Sequence, residues 1–206
     1  MRKIDLKKEW KSLYTASARK PAHIDVPKLK FLMIDGQGDP NTSPEFLGAI
    51  EALYSLAYTL KFSLKLGPEK IDYPVMALEG LWWTDSKVFD QEDRDSWKWT
   101  LMIAQPEVIT AAMVRQAKKT VKEKKGLARA DSIRLESWRE GAAVQILHVG
   151  PYAEEPATIE KLHAFAKESG CTLAGKHHEI YFSDPRRTKP GKLKTLLRQP
   201  VKKSAR

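Results

Sequence analysis

Apolar and polar positions alternate between two periods along the chain. Leu29 to Gly36 is an apolar run of strand length closed by turn residues, preceded by Pro21 and Pro27. Ser43, Pro44 and Glu45 form a helix start, with Ser43 as N-cap. Phe46, Ile50, Leu53, Ala57, Leu60 and Leu64 then fall on one helical stripe, and Gly67-Pro68 ends it. Tyr73 to Trp83 and Ser96 to Ala104 read as strands joined by an acidic loop, Asp85 to Asp95. A second helix is predicted from Gln105-Pro106-Glu107 to Gly126. A hairpin is expected over Ile133 to Val149, turning at Glu140-Gly141. A third helix starts near Pro156 and is capped by Ser169-Gly170, and two last strands cover Leu173 to Ser183 and Leu193 to Gln199. Residues 1–28 read as an N-terminal extension with a short helix around Leu6 to Tyr14, residues 29–201 as the domain, and 202–206 as a basic tail.

The elements repeat. Phe31 to Gly36, a helix opened by Pro44 and a strand containing Glu79 are matched by Val144 to Gly150, a helix opened by Pro156 and a strand containing Glu179. Each half reads strand, helix, strand, strand. The expected fold is α+β, with two such units about a pseudo-twofold axis, antiparallel sheets, helices on one face and a ligand cleft on the other. Glu79 and Glu179 would occupy related positions in that cleft.

Composition narrows the class. The chain has 206 residues, 42% of them hydrophobic, and one cysteine, Cys171, so no intrachain disulfide can form. The N-terminus lacks the apolar run of a signal peptide and no segment reaches the ~20 apolar residues of a membrane span. A cytoplasmic protein without membrane contact is expected. The net charge of +10 is local: residues 115 to 129 carry +6 and residues 185 to 206 carry +9, which leaves the other 169 residues at −5. The basic segments hold few aromatics, and a solvated face is favoured over a nucleic-acid groove.

Candidate chemistry rests on carboxylates and aromatics. Strand alternation puts Glu79 with Leu81 and Trp83, and Glu179 with Tyr181 and Ser183. Each glutamate fits either an ordinary ion pair or a ligand contact. Trp82, Trp83, Trp97 and Trp99 fall within 18 residues, with Tyr54, Tyr58, Tyr152 and Tyr181 on neighbouring elements. They suit either a core or the walls of a site for a flat, cationic ligand. His177-His178-Glu179 lacks the spacing of a zinc site, His148 reads as a core histidine, and no phosphate loop, dinucleotide fingerprint or serine nucleophile elbow is present. No metal and no cofactor are expected.

Three stretches carry a family resemblance: Leu78-Glu-Gly-Leu-Trp-Trp83, Ile146-Leu-His-Val-Gly-Pro-Tyr-Ala-Glu-Glu-Pro-Ala-Thr-Ile159, and His177-His-Glu-Ile-Tyr-Phe-Ser-Asp-Pro-Arg-Arg187 with Lys192 to Val201. The chain resembles the GyrI-like small-molecule-binding family in its stand-alone bacterial branch. The resemblance implies a duplicated strand-helix-strand-strand fold and a pocket for aromatic, often cationic compounds, with a central carboxylate matching Glu179. Some stand-alone members of this type hydrolyse the cyclopropane of spirocyclopropyl genotoxins. By that resemblance Glu179 is the expected base, Glu79 a second carboxylate, Tyr152 or Tyr181 a donor, and Trp83, Trp97, Trp99 and Tyr54 aromatic walls. The alternatives are a non-catalytic multidrug sensor or scavenger, and an interaction protein that inhibits gyrase or binds nucleic acid. A monomer or homodimer is expected, with an aromatic small molecule or genotoxin as partner.

Overall fold

The structure, a computed structural model, describes residues 1–86 and 93–204. In chain order the elements are β1 (Arg2–Lys3), α1 (Leu6–Glu9), β2 (Ala22–Gln37), α2 (Pro44–Leu66), β3 (Ile71–Asp72), β4 (Leu78–Trp83), β5 (Lys98–Gln105), α3 (Ala111–Lys125), β6 (Arg134–Val149), α4 (Glu155–Glu168), β7 (Cys171–Leu173), β8 (His177–Tyr181) and β9 (Lys194–Lys203). The fold is α+β, and the order β2-α2-β4-β5 recurs as β6-α4-β8-β9. Part of the acidic loop, residues 87–92, and the last two residues of the basic tail lie outside the described residues. Among the described residues no helix is long and apolar enough to cross a membrane.

The chain forms two compact units. The first comprises Met1–Glu9, Leu29–Met76 and Trp83–Trp138. Its β2 segment pairs antiparallel with β5, from Lys30 opposite Gln105 to Gln37 opposite Lys98. The Ser43 side chain accepts from the Phe46 amide and starts α2. The predicted stripe is the buried one at Phe46, Leu53, Ala57, Leu60 and Leu64, and it packs with α3 and β5. Helix α3 begins later than expected. Ile109 N–H closes a turn on the Pro106 carbonyl, Lys30 Nζ holds the carbonyls of Glu107 and Ile109 at 2.7 and 3.0 Å, and Thr110 becomes the N-cap.

The second unit comprises Trp10–Lys28, Ala77–Trp82 and Arg139–Arg206. Within it β8 pairs antiparallel with β4 and with β9, and β9 pairs with β6 and β7. Helix α4 covers one sheet face, closing a core of Val144, Ile146, Leu162, Ala166, Leu197 and Val201. The expected hairpin at Glu140-Gly141 is instead one continuous 16-residue strand, β6. The Glu140 side chain is fully buried on His178 and Arg198, which keeps the dipeptide within the strand, with Gly141 at φ +78°. Residues ahead of Leu29 contribute buried side chains and ladder bonds. Leu13 is buried, its carbonyl accepts from Arg198, and Gln145 Nε2 donates to the carbonyls of Ser12 and Thr15 at 3.2 Å.

Candidate functional site: a carboxylate, phenol and indole on one sheet face

Strand β8 sets the geometry. Its alternation sends His177, Glu179 and Tyr181 to one face and His178 and Ile180 to the other. Residues directly opposite across an antiparallel pair share a face. Gly80 stands opposite Glu179 and Trp82 opposite His177 on β4, while Thr195 stands opposite Tyr181 on β9. Tyr181 Oη donates to Glu179 Oε2 at 2.6 Å and accepts from Trp82 Nε1 at 2.9 Å. His177 Nε2 lies 3.4 Å from Glu179 Oε1. Burial, reinforced by the Glu179 charge, pushes the Tyr181 phenol well above its usual range, so Tyr181 stays a donor.

Two further groups come from the turn into α4. Tyr152 lies edge-on to Tyr181, with ring centroids 6.1 Å apart and an 84° interplanar angle, and is 40% exposed. Burial and the charges of Glu155 and Glu179 push its phenol up to about 12. Glu155, the first residue of α4, is only 5% exposed. It is hydrogen-bonded with Thr195, while its Oε1 has no hydrogen-bond partner within the protein. Burial first and the Glu179 charge second push this carboxyl up to about 9. Glu155 is thus held toward its protonated form on the same face as Glu179. A depression of about 570 Å³, lined by residues including His148, Ala153, Glu154 and Thr158, opens beside the Tyr152 turn.

Glu79 does not join this group. It faces the other side of the sheet, at 1% exposure, where its Oε1 accepts from Tyr14 Oη at 2.6 Å and its Oε2 meets His178 Nε2 at 3.0 Å. His178 Nδ1 meets Glu140 Oε1 at 2.9 Å, and Arg198 Nη1 donates to Glu140 Oε2 at 3.0 Å. Burial opposes charge on His178, but Glu140 and Glu79 outweigh it and push the imidazole up to about 9. Two carboxylates, one imidazolium and one guanidinium therefore neutralise each other in the interior. The expectation that Glu79 and Glu179 share a cleft is corrected by strand register, since Glu79 lies opposite Ile180 and not opposite Glu179.

The other expected aromatics belong to the first unit. Trp99 is fully buried, edge-on to Phe46 at 5.2 Å with its ring over Gly36; it fills core and is not an exposed wall. Trp97 carries the Arg94 guanidinium 5.6 Å from its ring, Trp83 is half-buried at the end of β4, and Tyr54 stacks on Tyr58. The structure brings together Glu179, Tyr181 and Tyr152, and adds Trp82, His177 and Glu155, which the sequence reading did not place there. Trp82 was legible in principle from alternation with Gly80. Glu155 carried no signal, because a glutamate opening a helix is ordinarily a solvated dipole partner. Among the described residues no group of three His, Cys, Asp or Glu side chains is placed to hold a metal ion.

An α+β chain that sets a carboxylate, a phenol and an indole on one sheet face has the construction of a small-molecule-binding domain. The family described as GyrI-like small molecule binding domain matches residues 20–202, and the chain belongs to it. It is similar to an uncharacterized conserved protein from Listeria innocua, at 42% identity and a TM-score of 0.90 over 97% of this chain and 100% of that one. It is also similar to a hydrolase from Listeria innocua, at 42% identity and a TM-score of 0.89 over 98% of this chain and 100% of that one. The C-terminal domain of EcmrR, at 12% identity and a TM-score of 0.54 over 89% of this chain and 98% of that one, shares the fold alone. A comparison with curated proteins yields no match.

Proposed function

We propose that the protein binds flat aromatic compounds at the Glu179 face and hydrolyses the cyclopropane ring of spirocyclopropyl genotoxins, a detoxification reaction. The observation that carries the reading is Glu179 held at 2.6 Å by Tyr181, itself held by Trp82, in a chain about 40% identical to a hydrolase. A carboxylate fixed by a phenol it cannot deprotonate is oriented to take a proton from water. Water oxygen bonds to the ring methylene, the strained carbon–carbon bond breaks, its electron pair flows to the dienone oxygen, and Glu179 takes the water proton. The product is a phenol once that oxygen is protonated. Tyr152, exposed and protonated across the neutral range, can donate to the developing oxyanion, and the Tyr152, Tyr181 and Trp82 rings supply aromatic surface for a flat ligand.

The test incubates purified protein and Glu179→Gln with sub-stoichiometric and then excess spirocyclopropyl genotoxin, following the water adduct by mass spectrometry. Multiple turnovers by the wild type, lost in the variant, are expected. Tight binding without product would instead make the protein a scavenger or sensor.

A further inference from the structure

Glu155 is a buried acidic group on this face that the cyclopropane reaction does not need. Opening a spirocyclopropyl dienone releases a delocalised phenolate, a leaving group stable without a proton in the transition state. Yet the fold holds beside Glu179 a second carboxyl that is 95% buried by the measure of its 5% exposure, with Oε1 unpartnered. A buried oxygen without a hydrogen-bond partner is costly to keep. Groups held at such expense against a charged neighbour cluster at reactive sites. Its surroundings are fixed: Thr195 bonds it from β9, and Tyr181, opposite Thr195 across the β8–β9 pair, ties Glu179 to the same face.

We propose that Glu155 and Glu179 form an acid and base pair that hydrolyses epoxides borne on flat aromatic groups, three-membered rings whose leaving oxygen must receive a proton. The inference rests on the proposed function, since it uses the same face and the same base. The step balances. Glu179 takes a proton from water, the water oxygen bonds to a ring carbon, the carbon–oxygen bond breaks, and the ring oxygen takes the proton of Glu155. The product is a vicinal diol. Glu179 is left protonated and Glu155 ionised, and transfer of one proton between them, directly or through solvent, restores the pair without any oxidant, reductant or co-reactant. Among the donors at hand Glu155 is the suitable acid. It retains its proton at neutral pH yet releases it more readily than Tyr152, whose phenol holds on to about 12. Tyr181 already commits its O–H to a hydrogen bond with Glu179.

The experiment uses the full chain with trans-stilbene oxide in ¹⁸O-labelled water, alongside the spirocyclopropyl substrate. Expected is catalytic diol formation with one ¹⁸O per molecule, a rate that falls as pH rises through about 9, and a loss of at least about 100-fold in Glu155→Gln. The wild-type pH profile is read without any variant, so it stands even where a substitution disturbs folding. Cyclopropane turnover without diol overturns the inference and leaves the proposed function standing. Diol formation undiminished in Glu155→Gln, or without the alkaline decline, overturns the role of Glu155. No turnover of either substrate overturns both.

Discussion

Gly80 stands directly across the β4–β8 pair from Glu179, and its missing side chain gives Trp82 and Tyr181 room to meet. A Cβ at Gly80 would lie 2.8 Å from Trp82 Nε1, so that something must shift, and a tight 3.1 Å from Tyr181 Oη. Both atoms end rigid rings that bond each other, so neither can swing aside without breaking the 2.9 Å contact. Gly80→Ala is expected to destabilise the fold by about 1–3 kcal/mol and to lower turnover more than it lowers binding, because it displaces the phenol that orients Glu179. Chemical denaturation and steady-state kinetics on the same preparation check both parts. Wild-type turnover in Gly80→Ala would show that the Trp82–Tyr181 contact does not position Glu179.

Tyr181→Phe removes one oxygen that serves two partners. It leaves Trp82 Nε1 without its acceptor and Glu179 Oε2 without its donor, for an expected loss of about 1–3 kcal/mol. The ring and its edge contact with Tyr152 remain, so ligand affinity should change by less than about tenfold while kcat falls by more. Ligand titration by tryptophan fluorescence and single-turnover kinetics separate the two. Equal losses in affinity and rate would place Tyr181 in binding only.

Glu155 makes a stability prediction with a definite sign. Its carboxyl titrates near 4.5 when unfolded and about 9 when folded. A group whose folded pKa is raised stabilises fully below its unfolded value, and that contribution is lost as pH rises through the folded value. Between pH 4 and pH 7 the wild type should therefore lose on the order of 3 kcal/mol that Glu155→Gln, which does not titrate, keeps. The variant should melt progressively higher than the wild type as pH rises, even while it loses activity, as expected where a strained group is kept for function. Melting curves from pH 4 to pH 8 check this. A constant difference between the two proteins would show that Glu155 is not held neutral.

The parts of this fold that were legible from sequence are those set by neighbours along the chain. Ser43 and Pro44 announce α2, its stripe from Phe46 to Leu64 is spaced for burial, and Ser169-Gly170 closes α4. What sequence did not give is set by register and distant partners. Glu140-Gly141 reads as a turn until His178 and Arg198, 38 and 58 residues further on, bind the Glu140 carboxylate and keep it within β6. Thr110 displaces Pro106 as the start of α3 because Lys30, 77 residues earlier than Glu107, holds the intervening carbonyls. The internal repeat pairs Glu79 with Glu179, but a repeat does not fix which faces of paired strands they take. One residue of register turns Glu79 into the buried partner of His178. Glu179 and Tyr181 were recoverable because both follow from the alternation of a single strand, whereas Glu155 becomes unusual only when the sheet buries it.

The network behind Glu179 predicts stability limits on both sides of neutrality. His178 is raised to about 9 by Glu140 and Glu79 against its own burial, so its contribution is fully present below the unfolded value near 6.5 and is lost as pH rises through about 9. The total is on the order of 3 kcal/mol. Glu140 is lowered, since His178 and Arg198 overcome its desolvation, so its contribution is present above the unfolded value near 4.5 and is lost as pH falls below it. His178→Leu leaves two carboxylates buried with, among the described residues, Tyr14 and Arg198 to answer them, for an expected loss of about 3–5 kcal/mol at neutral pH. His178→Leu with Glu79→Gln removes one of those charges and should recover part of that loss. The same single variant should show a shallower decline from pH 6.5 to 9, because the group that titrates there is gone. Since His178 and Glu179 are consecutive and face opposite ways, loss of the network frees β8 and should lower turnover without altering any atom on the Glu179 face. Denaturant unfolding across this pH range is the measurement, and an unchanged alkaline slope in His178→Leu would assign that slope to Glu155 alone.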